Sequence, residues 1–190
     1  MDEVKTPETT VDASEQKSIE PQEKAGEKDV AKLQETKNTP ENTSEIDEAE
    51  AKRIPSRNEH LEGETHPETG VPFEAKVVEN SESEMVEVVA PEFDSDYDAQ
   101  LPENLYQETD KKQFDECNSQ LKEAVTEDPE LAAKFDETQL EQIENGETPD
   151  GYVWHHDVKP GKMQLVDEET HIKTGHTGGK SIWGGGSENR

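Results

Sequence analysis

The feature that most limits what this chain can fold into is the placement of its aromatic residues: there are nine, and the first is Phe73. The stretch before it is built mainly from Glu, Lys, Thr, Pro, Ser and Ala. Ordering one residue's backbone costs roughly 1–2 kcal/mol, and such a composition buries too little apolar surface to offset that. Residues 1–55 are therefore expected to form a disordered, acidic, low-complexity tail. Of the 190 residues, 35% are charged and 27% hydrophobic, so the folded part is one domain of modest size.

A net charge of −29 argues at first against a polyanionic partner, but the charge is unevenly placed. From Gly151 onward five acids face five bases, so the whole excess of acid lies in residues 1–150. A bound divalent cation would make the C-terminal segment locally positive. Whole-chain charge thus does not exclude nucleic acid as the partner of that segment. Cys117 is the only cysteine, which rules out an intrachain disulfide and a cysteine-rich zinc site. No run approaches the roughly 18 apolar residues of a membrane span. Met1–Thr6 has neither a basic nor an apolar signal region. The chain is expected to be soluble, with any export through a specialised system.

From about Leu61 the texture changes. Thr65-His66-Pro67-Glu68-Thr69-Gly70 is turn-rich, and His60 and His66 within this region receive no role. Val77-Val78 and Met85–Val89 read as two short strands around Asn80-Ser81-Glu82-Ser83, so residues 60–100 are expected to form a hairpin-like arm. Between Leu101 and Gly146 the period becomes helical. Phe114, Cys117, Leu121 and Val125 make one apolar stripe along Lys111–Thr126, on which Cys117 is expected to be a buried thiol. Asp128-Pro129 opens a second helix. Thr138-Gln139-Leu140-Glu141 reads as the capping box of a third, which Gly146 ends.

Four of the six histidines fall between His155 and His176. Tyr152–His156 reads as a strand, with Trp154 packed beneath it. Val158–Lys162 turns the chain, and Met163–Val166 returns as a second strand. Asp167 caps a helix that carries His171, and Gly175 is the expected stop. Adjacent residues on a strand point to opposite faces. His155 and His156 are therefore suited to different tasks, one holding a metal and the other taking a proton from water. Imidazole suits zinc and nickel, and accepts magnesium or manganese when water and phosphate complete the shell. His171 and His176 are five residues apart, roughly 140° around a regular helix, so they converge only if the helix ends or bulges at Gly175. Lys162 and Lys180 are candidate phosphate contacts, and Gly178-Gly179 is a candidate anion-binding nest.

The series Gly151-Tyr152-Val153-Trp154-His155-His156, Met163-Gln164-Leu165-Val166, His171 and His176-Thr177-Gly178-Gly179 resembles the WHH family of the HNH/endonuclease VII nuclease superfamily. Domains of that family occur as C-terminal warheads of bacterial polymorphic toxins, including those of the LXG type. The resemblance spans about residues 60–186. It implies an α+β fold in which a helical subdomain (residues 101–146) precedes a ββα-metal element (residues 151–180). It further implies that His155, His171 and His176 hold one divalent ion (magnesium, manganese, nickel or zinc) and that His156 is the general base. The asparagine such sites carry between the outer histidines is missing, and Gln164 is the expected substitute. The implied activity is metal-dependent endonucleolytic hydrolysis of phosphodiester bonds in DNA or RNA. The implied setting is an antibacterial toxin acting in the target-cell cytoplasm, with a cognate immunity protein and no membrane partner. Two other readings fit the residues: a catalytically idle domain stapled by a metal for protein interaction, and a non-toxin HNH nuclease of a phage or mobile element.

Overall fold

The computed structural model describes residues 51–186, so the first fifty residues of the expected tail lie outside the described part. Its last residues do not behave as tail. Strand β1 (Lys52–Arg53) pairs in parallel with β3 (Met85–Pro91). The Ile54 N–H then donates to the Glu87 carbonyl at 2.9 Å, and its side chain packs against the main core. The folded unit therefore begins before residue 55.

The hairpin read from the two valine-rich runs is present and longer than the sequence suggested. Strand β2 (Phe73–Glu79) pairs antiparallel with β3 over its whole length, Phe73 opposite Pro91 and Glu79 opposite Met85. Val78, Val86 and Val88 are buried, and each such side chain contributes about 1.5–3 kcal/mol when fully removed from water. Asn80 closes the connection by accepting the Glu82 and Glu84 N–H groups at 2.8 and 3.0 Å.

Strand β4 (Tyr97–Gln100) was not expected, because Tyr-Asp-Ala-Gln carries little alternation of its own. It is recruited by tertiary pairing, antiparallel to β6 (Lys162–Asp167) with Tyr97 opposite Leu165. Helix α1 (Asp110–Glu127) buries Cys117 and Leu121, the centre of the predicted stripe. Asp128 caps α2 (Pro129–Ala132) by accepting the Glu130 and Leu131 N–H groups. The capping box of the third helix is present, but two residues earlier than read. Asp136, not Thr138, caps α3 (Glu137–Glu144), with Gln139 completing the reciprocal pair. Asp and Thr are both competent N-caps, each with a partner three residues on, and the helix starts at the earlier of the two. Gly146 follows the helix at φ +76°, a conformation that only glycine adopts cheaply.

The C-terminal part has the order strand, turn, strand, helix: β5 (Tyr152–His156), β6 and α4 (Glu168–Lys173). The sheet order is β4-β6-β5, which makes β5 an edge strand. Trp154 pairs with Leu165 and His156 with Met163, so these four share one face, whereas Val153, His155, Gln164 and Val166 share the other. The first face packs on α1, where the Trp154 indole N–H donates to Asn118 Oδ1 at 2.7 Å. The second face is covered by α4 and by Val71 and Phe93. The fold is α+β, with helices leading into the ββα element. No helix among the described residues is long and apolar enough to cross a membrane.

Candidate metal centre

On the second face of the sheet, His155 is buried and His171 and His176 are half-buried. One ligand atom from each lies within 4.8 Å of the others, and His155 Nδ1 is 3.3 Å from His171 Nε2. Asp167 starts α4 by accepting the Thr170 N–H at 2.8 Å, which sets the helix so that His171 faces β5. Convergence of His176 needed an early end to that helix, and the end comes one residue before the predicted stop. Thr174 leaves helical geometry at ψ 87°, and Gly175 is not left-handed. Thr174 is completely buried, and its hydroxyl lies 2.6 Å from that of Thr69. Thr69 is in turn held by His66, whose Nδ1 accepts the Thr69 N–H at 3.3 Å. The helix is thus stopped by a tertiary tie and not by glycine.

Beyond that stop His176 Nδ1 is 2.7 Å from the Thr174 carbonyl. A carbonyl only accepts, so Nδ1 carries the proton and Nε2 carries the lone pair. Such an outer partner fixes the orientation of a ligating imidazole. Phe93 forms the floor of the cluster, its ring centroid 4.8 Å from that of His155, 5.4 Å from His171 and 5.2 Å from His176. Electrostatics follow from this partly buried setting. Burial drives the His155 imidazole well below its ordinary range, and His176 and His171 push the same way. Burial, then His176, brings His171 down to about 4. Burial also lowers His176, with the Thr174 carbonyl opposing and Arg57 adding to the effect. All three are neutral donors at neutral pH, the form in which imidazole binds a cation. Three imidazoles on an apolar floor, without a carboxylate, fit a borderline divalent ion such as zinc or nickel, and leave coordination positions for water or substrate.

His156 points to the other face. Its Nε2 is 2.8 Å from Gln113 Oε1 on α1, and its ring lies between those of Phe114 and Trp183, at 5.7 and 5.6 Å. The amide that meets this histidine is therefore Gln113, whereas Gln164, the expected substitute, stands opposite His155 and donates to Asp98 at 3.3 Å. Because β5 is an edge strand, both of its faces open on one cleft of about 430 Å³, lined by His155, His156, His171, His176, Arg57 and Lys180 among others.

The two lysines fall differently. Lys162 pairs with Asp98 at 3.1 Å and lines a separate concavity with Lys76 and Asp157. The structure does not bring it to the histidines. Lys180 does line the cleft, but it is buried and its ammonium is enclosed by acceptors. It donates to the Glu108 carbonyl and to Gln113 Oε1, both at 2.9 Å. Asp110 Oδ1 lies 3.0 Å away, an ion-pair contact and not an aligned hydrogen bond. Two of its three N–H groups are thus engaged inside the protein, and the neighbouring Asp110 offsets its charge. Gly178-Gly179 forms no nest of left-handed residues. Gly179 is needed for close approach instead, since a Cβ there would come within 1.9 Å of the Asp157 carbonyl oxygen.

Arg57 is the cationic group that sequence reasoning missed. Its N–H donates to Thr177 Oγ1 at 2.9 Å, and the neighbouring Asn58 side chain donates to the Gly175 carbonyl at 2.6 Å. These two bonds tie the loop that carries His176 to a segment more than a hundred residues earlier in the chain. Nothing local marks that tie. Gln113 did leave a signal: with Cys117 and Leu121 it repeats every four residues, so a polar amide stands on the buried stripe.

The sequence model of the family described as the DNase/tRNase domain of colicin-like bacteriocin matches residues 82–178. No curated protein and no solved structure matches the chain.

Proposed function

The chain belongs to the family of DNase/tRNase domains of colicin-like bacteriocins, a family of nuclease toxin domains that act on nucleic acid, and from that premise we propose that it is a metal-dependent nuclease of the HNH type, close to its WHH branch. The observation that carries this reading is the convergence of His155, His171 and His176 across a strand–turn–strand–helix element. These three would hold one divalent ion, which when bound supplies charge stabilisation to the scissile phosphate and to the leaving oxygen.

The other roles belong to the chain's own residues. His156 is the general base that takes a proton from the attacking water. Arg57, at the mouth of the cleft, orients a phosphate oxygen through its guanidinium. Phe93 keeps water from beneath the ligands, so that the imidazoles stay neutral. The cleft takes a phosphodiester of DNA or RNA. In its biological setting the chain acts as an antibacterial toxin inside a target cell, and a cognate immunity protein protects the producer.

Incubation of the purified chain with plasmid and with total RNA, across magnesium, manganese, nickel and zinc, tests the reading. Cleavage that requires a divalent ion and stops on chelation supports it. Equal cleavage in the presence of chelator, or none with any ion, contradicts it.

A further inference from the structure

Gln113 is completely buried although it is polar, and all of its hydrogen-bonding partners can be named. Its Nε2 donates to the carbonyls of Leu105 and Tyr106, at 2.8 and 2.7 Å. Its Oε1 faces the Lys180 ammonium at 2.9 Å and His156 Nε2 at 2.8 Å. The two carbonyls only accept and the ammonium only donates, so the amide has one allowed orientation. Flipping it would set an NH₂ against an ammonium and an oxygen against two carbonyls. The oxygen is consequently what His156 meets, and His156 Nε2 must be the donor.

We infer that Gln113 is a positioning residue for the reaction, holding His156 as the Nε2–H tautomer, in which the basic lone pair is that of Nδ1. The inference rests on the reading of His156 as general base. Lys180 and Asp110 act one step further out. Lys180 locks the amide, and Asp110 holds Lys180 at 3.0 Å while lying 3.8 Å from His156 Nε2. The ring plane is fixed independently by Phe114 and Trp183, so both the direction and the proton of the imidazole are set before substrate arrives. This arrangement is separate from the metal cluster, since it sits on the opposite face of β5 and is built from α1 and from the 3-10 turn Gly179–Ser181.

The test is the tautomer of His156 in the full chain. Long-range ¹H–¹⁵N spectra of the histidine-labelled protein are expected to show the Nε2–H form, and a dominant Nδ1–H form overturns the inference. Gln113→Met removes the amide at similar volume. It is expected to lower kcat about ten- to hundredfold, as the loss of an outer partner does elsewhere, with KM within about twofold and divalent-metal binding unchanged. A folded Gln113→Met chain with unaltered kcat, or one that loses metal binding along with activity, overturns the positioning role. If that variant does not fold, the tautomer of the unsubstituted chain decides. Failure of the unsubstituted chain to cleave any nucleic acid would strike the nuclease reading instead, and is distinguishable because the tautomer is read without substrate.

Discussion

On one side of β5, His155 lies among His171, His176 and the ring of Phe93; on the other, His156 lies among Gln113, Phe114 and Trp183, with Lys180 and Asp110 behind them. The first setting is apolar at its floor and holds three imidazoles that burial keeps neutral. The second is polar, and the Gln113 amide at its centre has one orientation. Two adjacent residues of one type thus receive opposite environments from the period of two along a strand. The comparison teaches that the proposed division between metal ligand and base rests on this alternation on an edge strand, where both faces reach one cleft.

The comparison can be broken most severely from the His155 side. His155→Ala removes the buried member of the cluster, and metal binding is expected to disappear together with all ion-dependent cleavage, while His156 keeps its contacts. Calorimetric titration with zinc alongside a cleavage assay reads both. Next in size is Gly179→Ala, which disturbs the other side. A methyl group within 1.9 Å of the Asp157 carbonyl forces apart the strand end and the turn that carries Lys180. A loss of about 3 kcal/mol is expected in urea unfolding, at the upper end of overpacking costs.

How much of this was readable in advance depends on how local each cause is. The hairpin, the three helices and the strand–turn–strand–helix order all follow from patterns within a few residues, and the Asp167 cap was legible for the same reason. Strand β4 was not, because Tyr97–Gln100 becomes a strand through pairing with residues 162–165. The end of α4 was placed at Gly175 on glycine's backbone freedom, whereas a buried hydroxyl tie from Thr174 to Thr69 stops it earlier. Lys180 read as a candidate phosphate contact because nothing near it in sequence reveals Glu108, Asp110 and Gln113 as its partners. Arg57 was invisible for the same reason.

Acid sharpens the contrast between the two faces. His171 is held down to about 4 from an ordinary 6.5, and His155 and His176 are lowered as well. The unfolded chain therefore binds more protons than the folded chain between these values. Stability is full above pH 6.5 and falls as pH drops toward about 4. After discounting for solvent screening at a half-buried site, the loss for the metal-free chain is on the order of 2 kcal/mol. Denaturation midpoints across that range check it. Smallest is Arg57→Gln, which removes the charged hydrogen bond proposed from Arg57 to the phosphate. It should cost about 1.5 kcal/mol, roughly tenfold in kcat/KM, with metal affinity intact.

The claim that one strand separates ligand from base is tested most directly by His156→Ala, measured for zinc binding and for cleavage on the same preparation. The account predicts unchanged binding with cleavage lowered by about 10²–10⁴-fold. Cleavage that persists at the unsubstituted rate, or zinc binding lost with the activity, would contradict it.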